Sequence, residues 1–140
     1  MSASINTGVT NHDDITALRL RFLDAWDDLT PVIIPGADEA DDEPATAYVV
    51  LNVFPNDEDR LTIGYQPDYE AKGIVWIDVY SPLADKDAAA WSLADRAASI
   101  FRDWRSDDGR IRCETASFRN GADEGKFMRL IVNLAYRARH

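Results

Sequence analysis

The sequence predicts an α+β fold: two helices packed on one face of a mostly antiparallel mixed sheet. Two windows repeat apolar residues at spacings of three and four, the helical period, while several others alternate apolar with polar or crowd β-branched and aromatic residues together. The elements run helix, four strands, helix, two strands, an order that segregates helices from a sheet built largely of hairpins. The chain has 140 residues, 46% apolar and 29% charged, enough for one domain that buries about two-thirds of the surface its unfolded form exposes. The expected organisation is a single domain over residues 1–140, with a flexible stretch at 1–11.

The first helix is expected from about Asp13 to Asp28, with Asn11 as N-cap, Asp13 and Asp14 favourable in the first turn, and Ile15, Leu18, Phe22, Ala25, Trp26 and Leu29 along one stripe. Pro31 ends it. Val32-Ile33-Ile34 is a short strand, and Asp38 to Pro44 is an acidic, exposed loop. A strand from Thr46 to Phe54 is expected to turn through Pro55-Asn56-Asp57-Glu58-Asp59 into a second strand with Leu61, Ile63 and Tyr65. Gly73 to Tyr80 reads as a strand buried on both faces, closed by Ser81-Pro82. The second helix should span about Asp85 to Trp104, with Ala89, Leu93, Ala97, Ile100, Phe101 and Trp104 as its packed stripe. After a turn at Asp107-Asp108-Gly109, a strand from Arg110 to Phe118, a loop at Asn120 to Gly125 and a strand from Phe127 to Tyr136 complete the chain. The two periodicities place Trp76 and Phe101 on facing layers of the core.

Charge is unevenly divided. Residues 1–70 hold 15 acidic and 3 basic residues, a net −12, whereas residues 71–140 hold 12 basic and 10 acidic, a net +2. An overall −10 argues against sequence-specific nucleic-acid binding, which needs a dense basic face. It leaves room for acid-to-base contact between copies of the chain, although surplus acid more often serves solubility alone. The start of the sequence lacks a signal peptide, and no apolar run approaches the roughly 18 residues of a membrane span. The lone Cys113 has no intrachain partner, which suits a reducing compartment, and the expectation is synthesis in a cytoplasm with no membrane association.

The chain carries few side chains in a catalytic or ligating pattern. Asp103 to Glu114 has the length of an EF-hand loop, but Arg105 stands at the third ligand position and Gly109 comes one place late, so no metal is expected. No His/Cys spacing suits zinc, no phosphate-binding glycine motif occurs, and no cofactor is expected. His12 and His140 lie in or near termini expected to be mobile, which leaves no base for a Ser or Cys nucleophile. Cys113 reads as a small buried hydrophobe. Asp78, inside an apolar strand, must be paired if buried, and an arginine of a neighbouring strand or subunit is the natural partner. The tryptophans fit core positions on helices (Trp26, Trp91, Trp104) and on a strand (Trp76).

The ordered set of elements and local signatures resembles the tail terminator proteins of long-tailed bacteriophages, including prophage and gene-transfer-agent versions. The likeness runs from about Ile15 to Arg137. It is carried by Leu18-Arg19 with Phe22 to Trp26, by Pro44 before Tyr48-Val49-Val50, and by Gly73-Ile74-Val75-Trp76-Ile77-Asp78-Val79-Tyr80-Ser81-Pro82. It continues through Leu93-Ala94-Asp95, Ile100-Phe101 and Leu134-Ala135-Tyr136-Arg137. Departures are Leu83 to Asp87, where members often carry glycines after the proline, and the long acidic insertion around Asp38.

The resemblance implies a structural virion protein without catalysis, located at the head-tail junction. It would assemble as a homohexameric ring on the tail tube protein, stop tube polymerisation, and offer its other side to the head-completion (stopper) protein. Such a ring needs two complementary surfaces on each subunit. The candidates are the acidic hairpin with Asp57, Glu58 and Asp59 and the basic strands with Arg110, Arg112, Arg129 and Arg137. The rival readings are a small-ligand-binding α+β domain, monomeric or dimeric, and an acid-dependent hydrolase.

Overall fold

The structure is a computed structural model and describes residues 10–36, 46–61 and 68–140. Its elements are α1 (Asn11–Trp26), β1 (Val32–Ile33), β2 (Tyr48–Arg60), β3 (Tyr69–Pro82), α2 (Lys86–Phe101), β4 (Ile111–Asn120) and β5 (Phe127–Arg139). The sheet order is β1-β2-β3-β5-β4, with β1 parallel to β2 and every other pair antiparallel. Both helices pack on one face, as the periodicities require, so the α+β expectation holds.

Alternation in the strands divides the sheet into two environments. Val49 and Leu51 of β2, Val75, Ile77 and Val79 of β3, Leu130, Val132, Leu134, Tyr136 and Ala138 of β5, and Ile111 and Cys113 of β4 join one core with the helices. From α1 come Leu18, Phe22 and Trp26, and from α2 come Ala90, Ala94, Ala97, Ala98, Ile100 and Phe101. Small alanines let α2 lie close against β3 and β5. Phe22 stacks on Trp26 and on Phe101, at 5.0 and 6.0 Å between ring centroids, and so ties the two helices together. Arg21 reinforces the join: its guanidinium donates two hydrogen bonds to the Ile100 carbonyl, at 3.1 and 2.9 Å, near the C-terminal end of α2.

Several boundaries shift for identifiable reasons. The N-cap of α1 is Thr10, not Asn11, because Thr10 and Asp13 form a reciprocal capping box. The helix closes at Trp26, where Asp27 turns left-handed with φ 52. The second helix stops at Phe101, so Trp104 lies beyond it, half-buried and edge-on to Phe101. Its buried line runs through Ala90 and Ala94, with Ala89 and Leu93 only half-buried, and Trp91 is exposed against Phe118. A bulge between Cys113 and Ala116 resets the alternation of β4, leaving Thr115 outside and turning Ala116 and Phe118 toward the core.

The largest departure concerns the expected turn at Pro55 to Asp59. That segment continues β2 instead, paired with β3 from Asp57↔Lys72 to Arg60↔Tyr69 across a bulge between Pro55 and Asp57. A bulge accommodates proline in a ladder it cannot fully join, which is why Pro55 does not break the strand. The expected strand with Ile63 and Tyr65 lies outside the described residues, as does the acidic loop at 38–43. Trp76 is the other correction. Its even position in β3 turns it away from the helices, so it sits half-buried on the opposite face and does not oppose Phe101.

Two stability outcomes follow. Phe101→Ala should cost about 3–5 kcal/mol in denaturant unfolding, whereas Trp76→Ala should cost clearly less because its face carries no helix. Gly73→Ala should destabilise by about 1–3 kcal/mol, the range for overpacking, rather than stabilise as Gly→Ala often does. A Cβ there would stand 2.4 Å from the Tyr136 ring and 2.6 Å from the Phe54 carbonyl oxygen. Unchanged unfolding midpoints would contradict both assignments.

Candidate functional site

Among the described residues the second face of the sheet carries no helix, and the charged residues singled out in the sequence collect there and at its ends. Even positions of β3, odd positions of β5 and, in β2, even positions up to Phe54 and then Asp57 and Asp59 past the bulge point to it. At one end Tyr48 stacks on Tyr80 at 4.8 Å with Phe127 edge-on to Tyr48. In the middle Asp78 is buried, and its Oδ1 accepts hydrogen bonds from Arg129 Nε (3.2 Å), Arg129 Nη2 (3.0 Å) and Trp76 Nε1 (3.0 Å). The expected strand-to-strand pairing of Asp78 is therefore made, across β3 and β5. Burial alone would lower the Arg129 pKa, but the charge and hydrogen bonds of Asp78 leave it raised. Arg119 lies over the other side of Trp76, its guanidinium 4.8 Å from the ring centroid.

Toward the other end Glu70 joins Arg112 (3.3 Å) to Arg137 (3.0 Å), and Arg137 also holds Glu114 at 3.0 Å. The two carboxylates raise the Arg137 pKa, first through the Glu114 hydrogen bond. Beside this cluster the end of β2 runs as a solvent-exposed edge, here the arm, paired with Tyr69–Lys72 of β3: Asp57, Glu58 and Asp59 are all exposed, and Lys72 bonds Asp59 at 2.6 Å.

A separate knot braces the root of the arm. Asp14, fully buried on α1, is paired with Arg110 and lies 2.7 Å from His140 Nε2, while His140 Nδ1 stands 3.6 Å from Glu58. His140 also exchanges backbone hydrogen bonds with Tyr69. It is thus held in place, against the expectation of a mobile terminus.

The seven residues proposed from sequence therefore divide. Arg112 and Arg137 meet through Glu70, Arg129 is committed to Asp78, and Arg110 is committed to Asp14 on the helical side. Asp57 and Asp59 stay on the arm, and Glu58 reaches back toward His140. Asp14, His140, Glu70 and Arg119 are the residues that sequence reasoning missed. An acidic residue in the first turn of a helix reads as a dipole partner, and nothing in the linear pattern announces a cation 96 residues away.

These groups are matched acid to base, an arrangement that fixes strand register and presents charged surface. Cys113 is buried, and burial pushes its thiol from an ordinary 9.0 up to about 12, so it is a neutral thiol at physiological pH. Among the described residues no group of three or more His, Cys, Asp and Glu side chains could hold a metal ion, and no helix is long and apolar enough to cross a membrane.

Residues 14–136 match the model of the phage tail terminator protein family, and the chain belongs to that family. It is accordingly a structural protein of a phage tail. A solved structure without a functional name shares the fold, with a TM-score of 0.65 over 93% of this chain and 96% of that chain at 20% identity. No curated protein matches the sequence.

Two measurements check this chemistry. Arg129→Met should destabilise by about 3–5 kcal/mol, since Asp78 would be left charged and unpaired, and adding Asp78→Asn should recover part of that loss. Full stability of the single variant would show that Asp78 finds water instead. Burial also raises the Tyr136 hydroxyl from 10.0 to about 12. With both folded pKa values above their unfolded ones, the unfolded chain releases these protons first. The stability these two groups contribute should therefore be fully present below about pH 9 and be lost between pH 9 and 12. Cys113 should resist thiol reagents in the native state and react on unfolding.

Proposed function

We propose that the protein caps the tail tube as a closed homohexameric ring, stops tube polymerisation and provides the surface on which the head-completion protein docks at the head-tail junction. The supporting observation is the family membership over residues 14–136, joined to a surface of matched charges. The chain acts as a single domain over its 140 residues and works without cofactor or catalysis. Synthesis takes place in the host bacterial cytoplasm, for a phage, a prophage or a gene transfer agent.

Six subunits of net charge −10 repel one another, so the ring must set local acid against local base. We assign that contact to the arm with Asp57, Glu58 and Asp59 on one side. On the other stand the half-exposed Arg112 and Arg137, while Arg110 and Arg129 hold the strands that present them. Arg112 and Arg137 each have nearly half of their side chain in solvent, which leaves donors free for a neighbour.

Single rim charges are worth about 0–1 kcal/mol, so the test reverses three together. Asp57→Lys/Glu58→Lys/Asp59→Lys should impair ring closure and tube capping, read by sedimentation and by tube length in a polymerisation assay, with the monomer's melting temperature nearly unchanged. Reversing Arg112 and Arg137 to Glu as well should restore part of both. Assembly should weaken at high salt if these contacts dominate. A triple variant that caps normally would place the interface elsewhere. Wild-type protein that stays monomeric or dimeric with tubes present would overturn the ring itself.

A further inference from the structure

Two exposed apolar surfaces, each edged with unpaired charge of opposite sign, lie on opposite sides of the molecule. The first is the outer face of α1. Leu20 (62% exposed) and Leu23 (42%) share it with Asp24 and Asp27, and Asp28 and Leu29 follow directly. This face points away from the line of Leu18, Phe22 and Trp26 that enters the core. Among the described residues no cation pairs with Asp24, Asp27 or Asp28.

The second surface is on the open face of the sheet. Phe54 (49% exposed) pairs across the ladder with Ile74 (38%), and Phe54 meets Trp76 edge-on at 6.2 Å. Arg119 covers Trp76, and no carboxylate pairs with it among the described residues. Single exposed hydrophobes need no explanation, but a cross-strand cluster of three, with a helix face carrying two leucines one turn apart, marks contact surface.

We infer that the outer face of α1 in one copy docks on the Phe54–Ile74–Trp76 patch of the next, with Asp24 and Asp27 toward Arg119. The inference rests on the ring reading and specifies how neighbouring subunits meet. Charge complementarity selects a second copy as the occupant: Arg119, over the Trp76 end of the patch, meets no carboxylate among the described residues, and the helix face is apolar and acidic. The geometry gives the contact its character. The helix lies on the covered side of the sheet and the patch on the other, so a copy that uses both is joined head to tail, the heterologous contact that a ring requires. A two-fold dimer would leave one surface of each copy unused.

The experiment uses the full chain in two variants, one with Leu20→Lys and Leu23→Lys, the other with Phe54→Lys and Ile74→Lys. All four positions are exposed, and circular dichroism and melting confirm the folded state. Each variant alone should lose rings on tail tubes, with association weakened at least roughly tenfold. Mixed one to one, they should form a heterodimer in sedimentation and nothing larger, because each retains the surface the other lacks. A milder pair guards against misfolding: Asp24→Lys/Asp27→Lys should weaken rings, and adding Arg119→Glu should restore them in part. Rings of wild-type size from either lysine variant would overturn the contact while leaving tube capping intact. Loss of rings by both with no heterodimer in the mixture would also overturn it, since the surfaces would then serve different partners, such as the tube subunit. Absence of rings from the wild-type protein on tubes would remove the ring reading and this contact with it.

Discussion

The longest ladder among the described residues, thirteen paired positions between Tyr69–Pro82 and Phe127–Arg139, constrains everything around it. Once β3 and β5 are in register, every second residue is assigned to the helices and every other to the bare face, and a slip by one would invert both sets at once. Val75, Ile77, Val79, Leu130, Val132 and Leu134 are buried beneath the helices, while on the other face Asp78 is held by Arg129 and Trp76. The apolar set supplies the driving force. The ion pair makes the alternative register expensive, since it would carry a carboxylate into the core.

The remaining buried charge is handled in the same way. Asp14 is fully buried with Arg110 beside it, and this pair ties the start of α1 to the root of β4, which follows α2. Glu70 does the equivalent at the root of the arm, drawing Arg112 and Arg137 together from two strands. The acidic first half and the mildly basic second half of the chain are thus partly neutralised inside the subunit. Asp24, Asp27, Asp28, Asp57 and Arg119 are among those left at the surface, where charge guides one protein onto another.

Much of this was legible in the linear pattern because it rests on local chemistry. The alternation in Phe127 to Tyr136 and the stripe of Leu18, Phe22 and Trp26 act through near neighbours and appear where the pattern put them; the β-branched run from Ile74 to Val79 is a strand as expected, but Ile74 is exposed and Trp76 half-buried, so it is not buried on both faces. The errors occurred where distant partners decide. Pro55 with three acidic residues reads as a turn in isolation, yet pairing with Glu70 to Lys72 carries the strand through a bulge. Trp76 reads as core until the sheet proves to be covered on one side only. The roles of Asp14 and His140 depend on residues about a hundred positions away or more, and no periodicity reports that.

A two-layer body with an exposed acidic strand edge and, among the described residues, a sheet face without a helix suits the proposed part, a protein that stops a growing tube by binding its last ring and closing on its own copies. The most direct measurement is cryo-microscopy of tail tubes capped with the purified protein. The account predicts a closed ring of six copies at one end of each tube, with the bare sheet face of each copy covered by its neighbour. A tube end carrying no such ring, or a ring whose subunits leave that face to solvent, would contradict it.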